Sequence, residues 1–236
     1  MKEKNIGFIL CIVMLFFVVS CASLKNNENT DEQFLKNEMR LKNNTAREIQ
    51  HKSVSYALIR SKSISVQQSD LFGSSSALIL RAKEIPAMET RLRSLAVDVE
   101  NYIKDSSEQI ANEYVMVFEK DELTKENYAL LDGVNNAYTD YLLAKYQSEL
   151  KQGIRNVISS VKQTSLYKQW QNIYDSYDAW RTNTDNLALI AEVNTFPVID
   201  TGDIEEIITS LIYNKWVNEL RVGEQIAKAE RESRER

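Results

Sequence analysis

The side chains best spaced to act together are aromatic: Tyr167, Trp170, Tyr174, Tyr177 and Trp180 follow one another at steps of three, four, three and three. At about 100° per residue these steps gather five rings on one side of a helix, within roughly 140°. Such a stripe fills a core with its hydroxyl and indole groups at the rim, and that is the first reading. The second is a ligand or partner face, a groove for an apolar or sugar-bearing ligand or for a partner helix. Acid–base chemistry has less material. A single histidine, His51, excludes a His-rich zinc site and leaves most His-based schemes without a second member. Acidic groups cluster at Glu119-Lys120-Asp121-Glu122 and over 200–206. Neither cluster has the Asp-rich, glycine-centred form of a calcium loop, and charged helix ends and solvated turns account for both. Glu126 with Tyr128 is the acid and phenol pair that an enzyme reading would have to use. No catalytic, cofactor-binding or metal-ligating set emerges.

Glycine-rich phosphate chemistry is also missing. The segment Asp132-Gly133-Val134-Asn135-Asn136 has one glycine and no Lys-Ser/Thr pair after it. It reads as a turn between helices, with Gly133 where a C-cap needs positive φ and Asn135 or Asn136 as the next N-cap.

The N-terminus carries a different chemistry. Lys2 and Lys4 precede an apolar run over 6–19, about fourteen residues, where a bilayer-spanning helix needs roughly twenty. The run ends in Val18-Val19-Ser20-Cys21, which resembles the lipobox of bacterial lipoproteins: aliphatic, tolerant, small, then Cys. The resemblance implies a signal peptide over 1–20, cleavage after Ser20, and a Cys21 thiol carrying a diacylglyceryl group. Each buried methylene adds about 0.8 kcal/mol, so several chains anchor stably where one would be marginal. Cys11 lies in the segment that cleavage removes, which leaves the mature chain no pair for a disulfide. A polar, Asn-rich stretch follows, and 21–44 is expected to be the lipidated Cys and a flexible tether, with a docking helix as the alternative. Residues 45–236 then form one helical domain.

Six glycines and two prolines in 236 residues leave few places for tight hairpins, and an all-α, bundle-like domain is expected. Met88, Leu92, Leu95, Ala96, Val99, Tyr102 and Ile103 recur at helical spacing, and Ile110, Ala111, Tyr114, Val117 and Phe118 do so again. The polar Asp105-Ser106-Ser107 between them predicts two helices. A third runs from Asn136 to about Val161 along Tyr138, Leu142, Tyr146, Leu150, Ile154 and Val157. The last starts at Asp203, a capping residue followed by Glu205 and Glu206 at the positive end of the helix dipole. Its buried face is Ile204, Ile207, Ile208, Leu211, Ile212, Trp216 and Leu220, and past Lys228 it should be solvated and frayed. The region 181–202, with its apolar 187–191 patch ahead of Pro197, reads as a loop packed on the bundle. A net charge of −5 is a poor match for nucleic acid.

Ile85-Pro86, then Leu130-Leu131-Asp132-Gly133, then Asn136-Ala137-Tyr138-Thr139-Asp140-Tyr141-Leu142 resemble, in order and spacing, an uncharacterised bacterial family, domain of unknown function 4197. Glu126-Asn127 and Lys215-Trp216-Val217 depart from that family's pattern. The resemblance implies an exported all-helical domain and brings no activity. Together the readings point to a lipid-anchored protein of the cell envelope, a structural or interaction module for an envelope partner. A carrier of an apolar or lipid-like ligand is the alternative. Ala22 and Ser23 after the Cys lack a retention-type Asp, which favours the outer membrane.

Overall fold

A computed structural model of the chain describes the backbone of residues 4–73, 76–132, 135–190 and 196–236, and the side chains of 32–73, 76–132, 135–185 and 196–236. The fold is all-α, and no strand occurs among the described residues. In chain order the helices are α1 (Lys4–Ser61), α2 (Gln68–Phe72), α3 (Ala77–Leu80), α4 (Met88–Phe118), α5 (Ala137–Ile158), α6 (Ser165–Ile190) and α7 (Ile204–Glu235), with 3₁₀ turns at Lys125–Leu131 and Ser159–Gln163. None of the described helices is long and apolar enough to cross a membrane.

The long helices pack antiparallel, as the pairs between them show. Along α1 and α7, Lys52 meets Glu230 at 2.6 Å and Glu48 meets Arg234 at 2.6 Å, while Arg60 faces Glu219. Their closest crossing is at Gly223, where a Cβ would lie 2.7 Å from the Ser53 Cα. A glycine inside a helix costs about 1 kcal/mol relative to alanine, and here it lets two backbones touch. Arg221 reaches Asp140 from α7 to α5, and Gln169 reaches Asp98 from α6 to α4. One apolar core runs through these layers, with Leu92, Leu95, Val99, Ile103, Ile110, Leu150, Ile154, Ile208, Ile212, Trp216 and Leu220 all sealed from solvent.

Two expectations are corrected. The polar break at Asp105-Ser106-Ser107 does not end a helix, because the buried Ser107 hydroxyl donates to the Ile103 carbonyl one turn back and satisfies itself inside a continuous α4. The region 181–202 is not a loop throughout, since α6 continues to Ile190. Arg181 bridges Asp178 and Asp185 on that extension, and Asp185 accepts the Phe196 N–H, so the last turns of α6 hold Phe196. The C-terminal helix starts at Asp203 as expected, with its carboxylate accepting from the Glu205 N–H. Its solvated end begins past Lys228 as expected, with Ala227 and Lys228 buried and Ala229 and Glu230 exposed, although the helix itself continues to Glu235.

At the other end, among the described side chains, α1 meets the bundle from about Lys42, where the Asn43 side chain accepts the Leu123 N–H. From 32 to 41 it is helical and its side chains are open or half-open to solvent. The entrance to α4 is a turn in which the Met88 N–H bonds the Ile85 carbonyl at 3.1 Å. Pro86 supplies the first central position and Ala87 the second, at φ 60° and ψ 8°. That is the geometry of a type II turn, which favours glycine where this chain has alanine.

Candidate functional sites

Three groupings bring polar or aromatic side chains together, and each is built from helices distant in sequence. The first lies where α5 begins. The first four N–H groups at a helix start have no partner within the helix, and here three of them find one. Ala137 donates to the Asn135 side chain, Tyr138 to Glu224 Oε1 at 3.2 Å, and Thr139 to Glu224 Oε2 at 2.6 Å. The Glu224 carboxylate comes from α7, is sealed from solvent, and sits at the positive end of the α5 dipole. One turn along, the Lys228 ammonium donates to Glu224 at 2.6 Å, to the Leu130 carbonyl at 2.8 Å and to the Asn135 carbonyl at 3.0 Å. Its three N–H bonds are all used. Of the two asparagines proposed as caps, Asn135 supplies the oxygen, whereas Asn136 turns its amide to Asp140. Gly133 lies outside the described residues.

The second grouping surrounds Asp121, whose side chain is fully buried at the α4 exit. Its Oδ1 accepts from Lys145 Nζ at 2.6 Å, from the Tyr146 hydroxyl at 3.2 Å and from the Tyr141 hydroxyl at 3.4 Å. Its Oδ2 has no partner. Nearby, Gln50 donates to the Phe118 carbonyl and to the Tyr138 hydroxyl, while its own Oε1 is left unpaired. At Tyr146 α5 departs from helical geometry, with φ −114° and ψ 15°, in the same residue whose hydroxyl reaches Asp121. The bond to Asp121 holds Lys145 well above the usual lysine range, and burial, then the Asp121 charge, raise the Tyr146 and Tyr138 hydroxyls. The arrangement binds a carboxylate in place and keeps its neighbours protonated.

The third grouping is the aromatic stripe. Trp170, Tyr174 and Tyr177 are buried, and Tyr167 and Trp180 are half-buried. Phe72 of α2 stacks on Trp170 with ring centroids 4.8 Å apart, and Trp180 packs on Phe196. The polar tips have specific work: Trp170 Nε1 donates to the Thr201 carbonyl at 3.1 Å and the Tyr177 hydroxyl to the Pro197 carbonyl at 3.0 Å. The stripe therefore pins residues 197–201, which have no helix of their own, against α6. Burial pushes the Tyr174 hydroxyl up to about 12. Outside this layer a groove of about 600 Å³ runs between α3 and 196–200, lined by Phe72, Leu80, Arg81, Phe196 and Val198.

The remaining candidates are dispersed. His51 is exposed and faces Glu119 at 3.3 Å. Glu126 is exposed while Tyr128 is buried, so the pair does not converge on one site. In the acidic 200–206 cluster, Asp203 caps α7 and pairs with Lys162, and Glu206 pairs with Arg155. The Cys21 side chain lies outside the described residues. Among the described residues no group of three or more His, Cys, Asp or Glu could hold a metal ion. Sequence reasoning did not find Glu224 and Lys228, because a charged pair four residues apart on a helix ordinarily marks its solvent face. The one available signal was that both fall on the register of Trp216 and Leu220. Comparison with family models, with curated proteins and with solved structures finds no match to this chain.

Proposed function

We propose that this chain is an exported lipoprotein, acylated at Cys21, whose helical domain is a structural or interaction module of the cell envelope. The observation that carries the reading is Val18-Val19-Ser20-Cys21 at the end of a fourteen-residue apolar run. A small residue before the cut and a thiol after it are what acylation and cleavage at a membrane surface require. The described part of the domain supports it, since from 32 to 41 the side chains are open or half-open to solvent and contact with the bundle is seen from about Lys42, twenty-one positions after Cys21. The absence of Asp at Ala22 and Ser23 favours the outer membrane, and the resemblance to domain of unknown function 4197 belongs to the same reading and adds no activity.

Metabolic labelling with a fatty-acid analogue tests the anchor. The wild-type chain should take up the label, and Cys21→Ser should lose it and accumulate as a heavier, uncleaved precursor. Label retained by the Ser variant refutes the reading. A second function, carriage of an apolar or lipid-like ligand, draws on the groove between α3 and 196–200. Its aromatic backing is packed and hydrogen-bonded, which makes the groove shallow and ranks this reading second. Native mass spectrometry showing a co-purified ligand of acyl-chain mass would reverse that order.

A further inference from the structure

Large apolar side chains stand in solvent over one short stretch of α1: Phe34 (67 %), Leu35 (41 %), Met39 (48 %) and Leu41 (67 %). At about 100° per residue they cover roughly 160° of the helix. Leu35 and Met39 lie on the side that, further along, buries Ala46, Ile49 and Gln50 against the bundle. The packed stripe of α1 thus continues past the point where the bundle stops. Phe34 and Leu41 widen it instead of continuing it, so the face is broader than a helix partner in this fold would need. On the opposite side are Gln33, Lys36 and Arg40, all exposed.

We infer that residues 34–41 form a docking face for the lipid surface that holds Cys21, an inference that rests on the anchor reading above. Phe, Leu and Met on one side and Lys and Arg on the other are the composition of a helix that lies in a bilayer interface. Lys36 pairs with Glu32 at 2.7 Å, which leaves Arg40 as the exposed cation of this polar side placed to meet a headgroup phosphate. The anchor also limits the distance. Phe34 lies thirteen positions after Cys21, and at 1.5 Å per residue a helix of that length spans about 20 Å. An acylated chain therefore keeps the face permanently within reach of headgroups, a high effective concentration at which even a weak interfacial helix stays bound. Because contact with the bundle is seen, among the described side chains, from about Lys42, the surface can meet this overhang without meeting the domain.

The test uses the mature, acylated chain in vesicles of phosphatidylethanolamine and phosphatidylglycerol. Cleavage removes Cys11 and acylation occupies Cys21, so one introduced cysteine is the only free thiol for a spin label. Phe34→Cys and Leu41→Cys should show an oxygen-to-nickel accessibility ratio several-fold above that of Gln33→Cys, and the contrast should shrink in phosphatidylcholine vesicles. Equal, water-like accessibility at all three positions overturns the inference. Spin–spin broadening at 34 and 41 does so too, because it assigns the face to a second copy of the chain. Mass spectrometry of the same sample separates the failures. A chain without acyl mass on Cys21 brings down the anchor reading and this inference together, while an acylated chain with solvent-exposed 34 and 41 brings down the docking face alone.

Discussion

Among the described residues two carboxylates, Glu224 and Asp121, are buried, and they are treated differently. Glu224 has both oxygens bonded, is paired with an equally buried Lys228, and closes the start of α5 against α7. Asp121 has one oxygen surrounded by three donors and the other left bare, and its lysine partner is 43 % exposed. Removing one member of a buried ion pair leaves the other as an uncompensated buried charge, which costs more than the pair itself contributes. Lys228 has nowhere to go, since the helix axis and three acceptors hold its ammonium inside. Lys145 can swing into water. The first grouping is therefore a rigid clasp among α5, α7 and the turn before α5, and the second is a hinge-like contact on a kinked helix.

The sharpest way to break this comparison is at Lys228. Lys228→Ala should cost about 3–5 kcal/mol, as breaking buried pairs does, and Glu224→Ala a similar amount. The double variant should cost far less than the sum of the two, because each single change already strands the partner. Additive losses in urea titrations would show that the two charges act independently.

At the other carboxylate the effect should be smaller. Lys145→Gln should lower stability by about 1–2 kcal/mol, the range for a buried polar group that loses one partner and keeps others. The same variant should alter the alkaline limb. A lysine held above its usual value stabilises the fold fully below about pH 10.5, and that contribution disappears as pH rises through the raised value. Buried tyrosines act in the same direction, because the unfolded chain ionises them near pH 10 and the folded chain resists. Wild-type stability should thus fall above about pH 10, and less steeply in Lys145→Gln. Denaturation midpoints from pH 8 to 11.5 with identical slopes for the two proteins would remove Lys145 from the account.

The smallest expected change lies outside both groupings and serves as their reference. Ala87→Gly should raise stability by up to about 1 kcal/mol, because glycine adopts φ 60° without the Cβ clash that alanine suffers there. Combined with Lys228→Ala it should add independently, as distant sites do. Destabilisation by glycine would mean that flexibility gained in the unfolded chain outweighs the strain relieved.

Period and capping chemistry were readable without coordinates. The 3.6-residue recurrence of Leu, Ile, Val and aromatic residues defined α5, α7 and the two halves of α4, and Asp203 marked the start of α7, because both signals are local. Local signals failed where a polar residue had a remote or backward partner. Ser107 looked like a break and instead bonds the carbonyl behind it, and the polar Arg-Thr-Asn-Thr-Asp-Asn run over 181–186 looked like loop and is instead helix, with Arg181 bonded to Asp185 one turn on. The tip chemistry of the aromatic stripe was likewise invisible, since the Thr201 and Pro197 carbonyls that receive Trp170 and Tyr177 sit 31 and 20 residues away. The sequence by itself determined an all-helical chain, one chemically distinctive cysteine at an apolar boundary, and the faces its helices bury. Only the tertiary structure decided that Glu224 and Lys228 face inward, because whether a charge on a helix meets water or a helix start is a property of the neighbour it packs against.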